Sequence, residues 1–279
     1  MKTILRTLLS LLLFSAAAAA AATAADGIAF ITNMKGDVAL DGNPRPTLLA
    51  ELAKGQKLTL GPDAQASVIF VASGKEYALK GPGQFLVKET EMSASSGMPP
   101  ITRETQWHAS NKVLVQVAQT SAASVRMRSI AIPKPDMDPK LLYPTQGNIA
   151  TLQPTFRWRG ADGKGEFVLL VAGQEKPVHS AKVSGGSYKL GAKLRPDTEY
   201  TWIVTVAGNE IGTGHFRTLT TEALAQVDKQ RPSDKAEFSD RVMFALMLQD
   251  LGAMQDAHDS WTRLAQERDD LPELAAFAK

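Results

Sequence analysis

The 279-residue chain contains no cysteine. That absence excludes a disulfide framework, a thiolate metal site, an iron–sulfur cluster and a thiol nucleophile, and it removes the residue on which a bacterial lipoprotein carries its lipid. Aromatic residues are scarce at 6%, and Lys plus Arg barely exceed Asp plus Glu, 31 against 29. So even a balance gives the chain as a whole no electrostatic case for binding nucleic acid or an anionic membrane. The four histidines, His108, His179, His215 and His258, are scattered without metal-site spacing, and each reads as a surface or structural residue. Gly185-Gly186-Ser187-Tyr188 lacks the second flanking glycine of a nucleophile elbow, and Gly160 to Gly165 lacks the Ser or Thr that follows a phosphate-loop lysine. Asp136, Asp138 and Asp162 do not form a calcium loop. No catalytic, cofactor-binding or metal-binding constellation emerges, so the expectation is a protein without cofactor that is not an enzyme.

Long apolar runs are also missing, except at the start. Lys2 and Arg6 precede Leu8, Leu9, Leu11, Leu12, Leu13 and Phe14, and Ala22-Thr23-Ala24 fits a small-x-small cleavage pattern. Residues 1–25 therefore read as a secretory signal peptide cleaved near Ala24/Ala25. The alternative is an inner-membrane anchor with the signal uncleaved, because the run from Leu8 to Ala25 just reaches bilayer length. Cleavage removes Lys2 and Arg6 and takes the basic residues from 31 to 29, equal to the 29 acidic ones. The mature chain is then formally neutral, with no further membrane span. An exported chain free of cysteine suits the bacterial periplasm.

Residues 26–92 are written as short strands between turns. Ile28, Phe30 and Ile31 open the segment, and Val38-Ala39-Leu40 leads into Asp41-Gly42-Asn43-Pro44, a hairpin signal. Lys57-Leu58-Thr59-Leu60, Ala66 to Val71, Tyr77-Ala78-Leu79 and Phe85-Leu86-Val87 follow, separated by Gly61-Pro62-Asp63, Ser73-Gly74-Lys75 and Gly81-Pro82-Gly83. About six strands at this spacing describe a small all-β unit. The succession Gly36-Asp37-Val38, Leu49, Gly55-Gln56-Lys57-Leu58, Gly61, Ala66 to Phe70, Gly74 and Leu79-Lys80-Gly81 resembles the periplasmic FecR-type domain. In iron-regulatory members that domain follows a cytoplasmic segment and a membrane span and relays a signal to a sigma factor. Here a signal peptide stands in place of both.

Residues 93–137 read as a connector. Ser93 to Gly97, Met98-Pro99-Pro100 and Ile132-Pro133-Lys134-Pro135 are loop material. Between them, Val113, Leu114 and Val117 have helical spacing while Val113, Val115 and Val117 alternate as in a strand. The absence of glycine and proline from 102–128 favours helix.

Residues 138–220 form a second β unit. Phe156 and Trp158 share one face of a strand, Phe167 to Val171 is a short buried run, and Tyr200, Trp202, Val204 and Val206 alternate along a full strand. Leu194-Arg195-Pro196-Asp197-Thr198-Glu199-Tyr200 resembles the Leu-x-Pro-x-Thr-x-Tyr corner of fibronectin type III domains. The resemblance implies a β-sandwich in which Leu194, Pro196 and Tyr200 form a structural tyrosine corner.

After Thr221 the apolar period lengthens to that of a helix. Ser239-Asp240 is placed to cap a helix carrying Val242, Ala245, Leu246, Leu248 and Leu251, and Gly252 ends it. A second helix from about Met254 carries Ala257, Trp261 and Leu264, and a short amphipathic end carries Leu274 and Phe277. Phe244, Ala245, Leu248, Gly252, Ala257, Trp261 and Leu264 together resemble a single tetratricopeptide repeat within residues 221–279. One repeat cannot bury its own face. Its first helix would present Ser239, Val242, Leu246 and Gln249 as a groove face, which either docks on this chain or receives a partner.

The expected fold class is mainly β and multidomain: a small FecR-like unit, a fibronectin type III-like sandwich and a C-terminal α-hairpin. The expected function is an exported, non-enzymatic protein-interaction scaffold or sensor module among periplasmic or envelope proteins. The alternative is a cell-wall glycan-binding module that takes peptidoglycan. In that case Trp107 is the stacking candidate, since Trp158, Trp202 and Trp261 fall on core faces.

Overall fold

Turn residues divide the first unit into short strands, and the alternation of apolar and polar side chains decides which face each buries. β1 (Ala29–Lys35), β2 (Val38–Leu40), β3 (Glu51–Leu52), β4 (Lys57–Leu60) and β5 (Gln65–Phe70) are followed by β6 (Lys75–Lys80), β7 (Gly83–Val87), β8 (Met92–Ser96) and β9 (Ile101–Glu104). The computed structural model describes residues 27–41, 43–107, 140–160, 163–233 and 235–278. The signal-peptide assignment, His108 and most of the connector fall outside them.

Two antiparallel sheets, ordered β3-β1-β5-β6-β9 and β2-β4-β7-β8, enclose the first core. In β4 the exposed Lys57 and Thr59 alternate with the buried Leu58 and Leu60. Their apolar face meets Ile31, Val68, Phe70 and Phe85 in one cluster. A sharp close approach holds the edge: a Cβ on Gly81 would lie 2.0 Å from the Gly61 carbonyl oxygen.

Three features depart from the sequence expectation. Leu40 and Asn43 do exchange backbone hydrogen bonds, at 2.9 and 2.7 Å. The ladder stops there because Pro44 and Pro46 bring no N–H, and β2 pairs with β4 instead. Second, the unit does not end at residue 92. Ser93 to Ser96, read as loop, lie in β8 along β7, where Met92 fills the core and the small residues after it edge the sheet. Third, residues 101–104, whose last three begin the stretch read as helical, form edge strand β9 along β6.

The second unit is a sandwich of three strands on five. β10 (Leu141–Tyr143), β12 (Thr155–Trp158) and β15 (Ser187–Lys189) make the smaller sheet. β11 (Asn148–Ile149), β17 (Asn209–Thr218), β16 (Glu199–Val206), β13 (Lys164–Val171) and β14 (His179–Ser184) make the larger, in that order. β11 runs parallel to β17 and the other pairs are antiparallel. Between the sheets, the Phe156 ring centroid lies 4.6 Å from Phe167 and 5.1 Å from Trp202. Phe216 stacks on Tyr200, whose hydroxyl accepts the Arg195 N–H at 3.0 Å. Leu194 is buried and Pro196 half-buried beside it. Tyr200→Phe keeps the ring and orphans the Arg195 amide, so it should cost about 1–2 kcal/mol in urea unfolding without altering the near-ultraviolet signature of the core.

Among the described residues, four helices follow the second unit. α1 (Thr221–Gln230) is capped by Thr220, whose hydroxyl accepts from Ala223 N at 3.2 Å. α2 (Phe238–Asp250) and α3 (Met254–Glu267) form an antiparallel hairpin turned by Gly252, whose φ of +71° suits a residue without Cβ. α4 (Leu274–Phe277) lays Phe277 over Trp261, ring centroids 4.5 Å apart. Ten of the thirteen α2 residues are buried. A helix apolar on nearly all sides belongs in an interior, and α2 lies where the two β units and α3 meet. No helix among the described residues is long and apolar enough to cross a membrane.

Candidate functional site: the seat of the helical hairpin

The hairpin's polar contacts fall into two sets, one for each β unit. On the first unit, the edge position of β9 lets Arg103 reach both ways. Its Nε donates to Glu76 Oε2 at 2.7 Å, its Nη1 to Asp240 Oδ2 at 2.8 Å and its Nη2 to Ser239 Oγ at 3.1 Å. Glu76 is buried within β6 and accepts a further bond from Thr32 Oγ1 at 3.3 Å. Burial alone would lower the Arg103 pKa, but the bonds and charges of Asp240 and Glu76 outweigh it and hold the guanidinium ionised. At the same open end of the hairpin Arg268 donates to Asn33 Oδ1 at 2.7 Å and to the Met34 carbonyl, with its guanidinium 4.9 Å from the Phe238 ring. Glu273 accepts the Leu48 N–H at 2.8 Å.

On the second unit, the start of α3 carries the contacts. Gln255 accepts from Thr145 N at 2.7 Å and donates to the Leu142 carbonyl at 3.2 Å. Asp256 accepts from Tyr143 Oη at 3.0 Å and from Ala150 N at 2.9 Å. Asn148 donates to the Leu251 carbonyl at 2.9 Å, and Arg157 pairs with Asp259 at 3.0 Å on the rim. Peptide groups of the sandwich thus use helix side chains as their hydrogen-bond partners, as buried polar groups must.

Asp256 gives this seat a pH dependence. Burial pushes its carboxyl above the ordinary aspartate range, an effect that the Ala150 and Tyr143 bonds oppose and the Asp259 charge reinforces. A raised folded-state pKa means that this group favours folding most below the unfolded aspartate value of about 3.9, and that the gain fades as pH rises through the folded value. Glu267 and Asp270, held low by hydrogen bonds from Arg241 and Arg268, titrate in the opposite sense. Asp256→Asn keeps those groups and removes the first. The stability of the wild type relative to Asp256→Asn should therefore rise between pH 7 and pH 4 in parallel denaturant titrations.

The groove face expected on the hairpin is covered. Ser239, Val242 and Leu246 are buried by this chain, and Gln249 is half-buried. Val242 and Leu246 share a cluster with Phe30, Leu49, Ile69, Ala150 and Leu219. Of the two alternatives, docking on the same chain is the one the structure contains. Ser239 and Asp240 do not cap α2, which starts one residue before them with Glu237 as N-cap; they sit in its first turn as partners of Arg103. Trp107 is fully buried in the same cluster, so its ring is covered and has no free face for a sugar, and Trp158, Trp202 and Trp261 are buried too.

The remaining polar candidates are engaged locally. His179 Nε2 lies 2.6 Å from Tyr188 Oη and His215 Nδ1 lies 3.0 Å from Thr201 Oγ1, while His258 is exposed. A groove of about 320 Å³ on the sandwich is lined by Glu199, His215 and Arg217, where Arg217 takes the Glu199 carboxylate at 3.1 Å. Among the described residues no cluster of three or more His, Asp or Glu could hold a metal ion. Sequence reasoning missed Arg103 and Glu76 entirely; a hint was the charged Asp240 in the first turn of a helix that is wholly apolar from Val242 to Leu248. No family model and no curated protein matches the chain.

Proposed function

We propose that the chain is an exported protein of the bacterial envelope that works without catalysis, as a scaffold or sensor module for protein–protein interaction in the periplasm. The observation that carries this reading is the shared core. Phe30, Leu49 and Ile69 of the first unit, Ala150 and Leu219 of the second, and Val242, Leu246 and Trp261 of the hairpin form one apolar cluster. A junction that is apolar at its centre and hydrogen-bonded at its margins fixes two β units relative to each other, which a platform requires. Lys2, Arg6, the leucine run and Ala22-Thr23-Ala24 support export. The FecR-like, fibronectin type III-like and tetratricopeptide-like readings belong to the same proposal. The three-on-five strand order and the Tyr200–Arg195 bond support the second of them. The glycan-binding alternative draws no support from the tryptophans.

Cross-linking the mature protein in intact periplasm, followed by capture and mass spectrometry, tests the proposal. A small, reproducible set of envelope proteins is the expected catch. Co-sedimentation with purified peptidoglycan in the absence of any protein partner would replace it with the glycan reading. Turnover of a small molecule, abolished by one polar substitution, would overturn both.

A further inference from the structure

Among the described residues, the larger sheet of the second unit ends on a strand paired on one side. β14 (His179–Ser184) pairs with β13 alone among the described residues, so among them one side of its backbone has no strand partner. Unpaired N–H and C=O groups on such an edge are a template for another strand. Burial alternates along it: His179, Ala181 and Val183 are covered or half-covered, and Ser180, Lys182 and Ser184 are exposed.

Charge around this edge is one-sided. Between residues 163 and 195, Lys164, Lys176, Lys182, Lys189, Lys193 and Arg195 stand against only Glu166 and Glu175. None of the six enters an ion pair among the described residues. A groove of about 720 Å³ over the outer face is lined by Lys164, Lys182 and Ser184 together with Glu166, which stands opposite Lys182. A slot of about 180 Å³ beside Val178, Lys193 and Arg195 opens between the sheets. Val178, at the head of the strand, is an exposed apolar side chain.

We infer that β14 is a docking strand for an acidic, extended segment of a partner protein, which adds to the sheet edge. Alternate side chains of an added strand point to opposite faces, so acidic residues at every second position lie on the face of Lys182, with Lys164 one strand further in, while small apolar residues between them face the slot beside His179. Cross-strand neighbours stand about 4.5–5.5 Å apart, close enough for opposite charges to stabilise the pair and like charges to oppose it. Charge argues against a second copy of this chain, since edge-to-edge pairing of two β14 strands would gather Lys182 and the Lys164 behind it from both copies on one surface with no added acidic groups. The inference rests on the scaffold reading and supplies its partner class: main-chain bonds give affinity, and the charge pattern gives selectivity.

The probe is a capped synthetic peptide of about eight residues that alternates Glu and Val, titrated into the isotope-labelled mature protein and followed by amide chemical shifts. Shifts concentrated on residues 178–184 are expected. Binding should weaken about tenfold with Lys164→Glu/Lys182→Glu, with a peptide of the same charge N-methylated at alternate positions, or with added salt beyond the physiological range. Equal binding of the N-methylated peptide would reduce the site to a cationic patch. Equal binding of a Lys–Val peptide would remove the role of charge. Dimers that form through residues 178–184 without peptide would assign the edge to a second copy. Each result overturns the inference, as does the absence of shifts at β14. Failure of the peptide with envelope cross-links retained sinks this edge alone; loss of cross-links with the peptide still bound sinks the scaffold reading.

Discussion

Arg103→Ala should lower folding stability by about 3–5 kcal/mol, seen as an earlier urea midpoint with an unchanged slope. The magnitude follows from what the guanidinium leaves behind. The Glu76 side chain is 5% exposed and that of Asp240 12% exposed. Both carboxylates then face each other across the junction without their shared cation, and Asp240 Oδ1 already has no hydrogen-bond partner among the described residues. An uncompensated buried charge costs far more than a lost surface ion pair. Arg103→Lys keeps the charge but replaces a planar fork that serves three acceptors with a single ammonium, so it should recover only part of the loss. Full stability in Arg103→Ala would mean that the junction is held by apolar contact alone.

Trp261→Ala should cost about 3–5 kcal/mol as well, by a different route. The ring is fully buried in the cluster that joins hairpin and β units, and it stacks on Phe277. Truncation leaves a void bounded by elements that cannot all collapse into it. In a chain of this size the loss corresponds to a melting temperature about 10 °C lower in calorimetry. Trp261→Phe is the informative control. The indole Nε1 has no hydrogen-bond partner among the described residues, so replacing it removes volume without breaking a bond and should cost less than half as much. A Trp261→Phe variant as unstable as Trp261→Ala would place an unseen polar partner at the ring.

What could be read from the sequence follows the strength of local patterns. The second helix begins at Met254 as its apolar spacing predicts, and Gly252 ends the first because its left-handed φ is open to glycine. Inner strands such as β5 and β16 declare themselves through alternating large apolar residues. Edge strands do not. Residues 93–96 are small and polar and Ile101–Glu104 are few and mostly polar, and their strand character comes from the backbone of β7 and β6 beside them. The hairpin seat was the least legible part, for the same reason carried further. Ser239 and Asp240 look like ordinary capping residues until Arg103, 137 residues before Asp240 in the chain, reaches them. Trp107 stands alone in a polar stretch, and only tertiary packing puts it in the core. Local propensity contains no information about such partners.

The Leu48–Glu273 bond spans 225 residues, and this separation orders the birth of the molecule. Sequence-distant contacts form late, after the entropy of closing a long loop has been met. Phe30, Leu49 and Ile69 therefore stay uncovered until the last sixty or so residues have been delivered, and a nascent or clipped polypeptide displays them as a greasy flag to chaperones and proteases. Docking of the hairpin is thus the step that covers them.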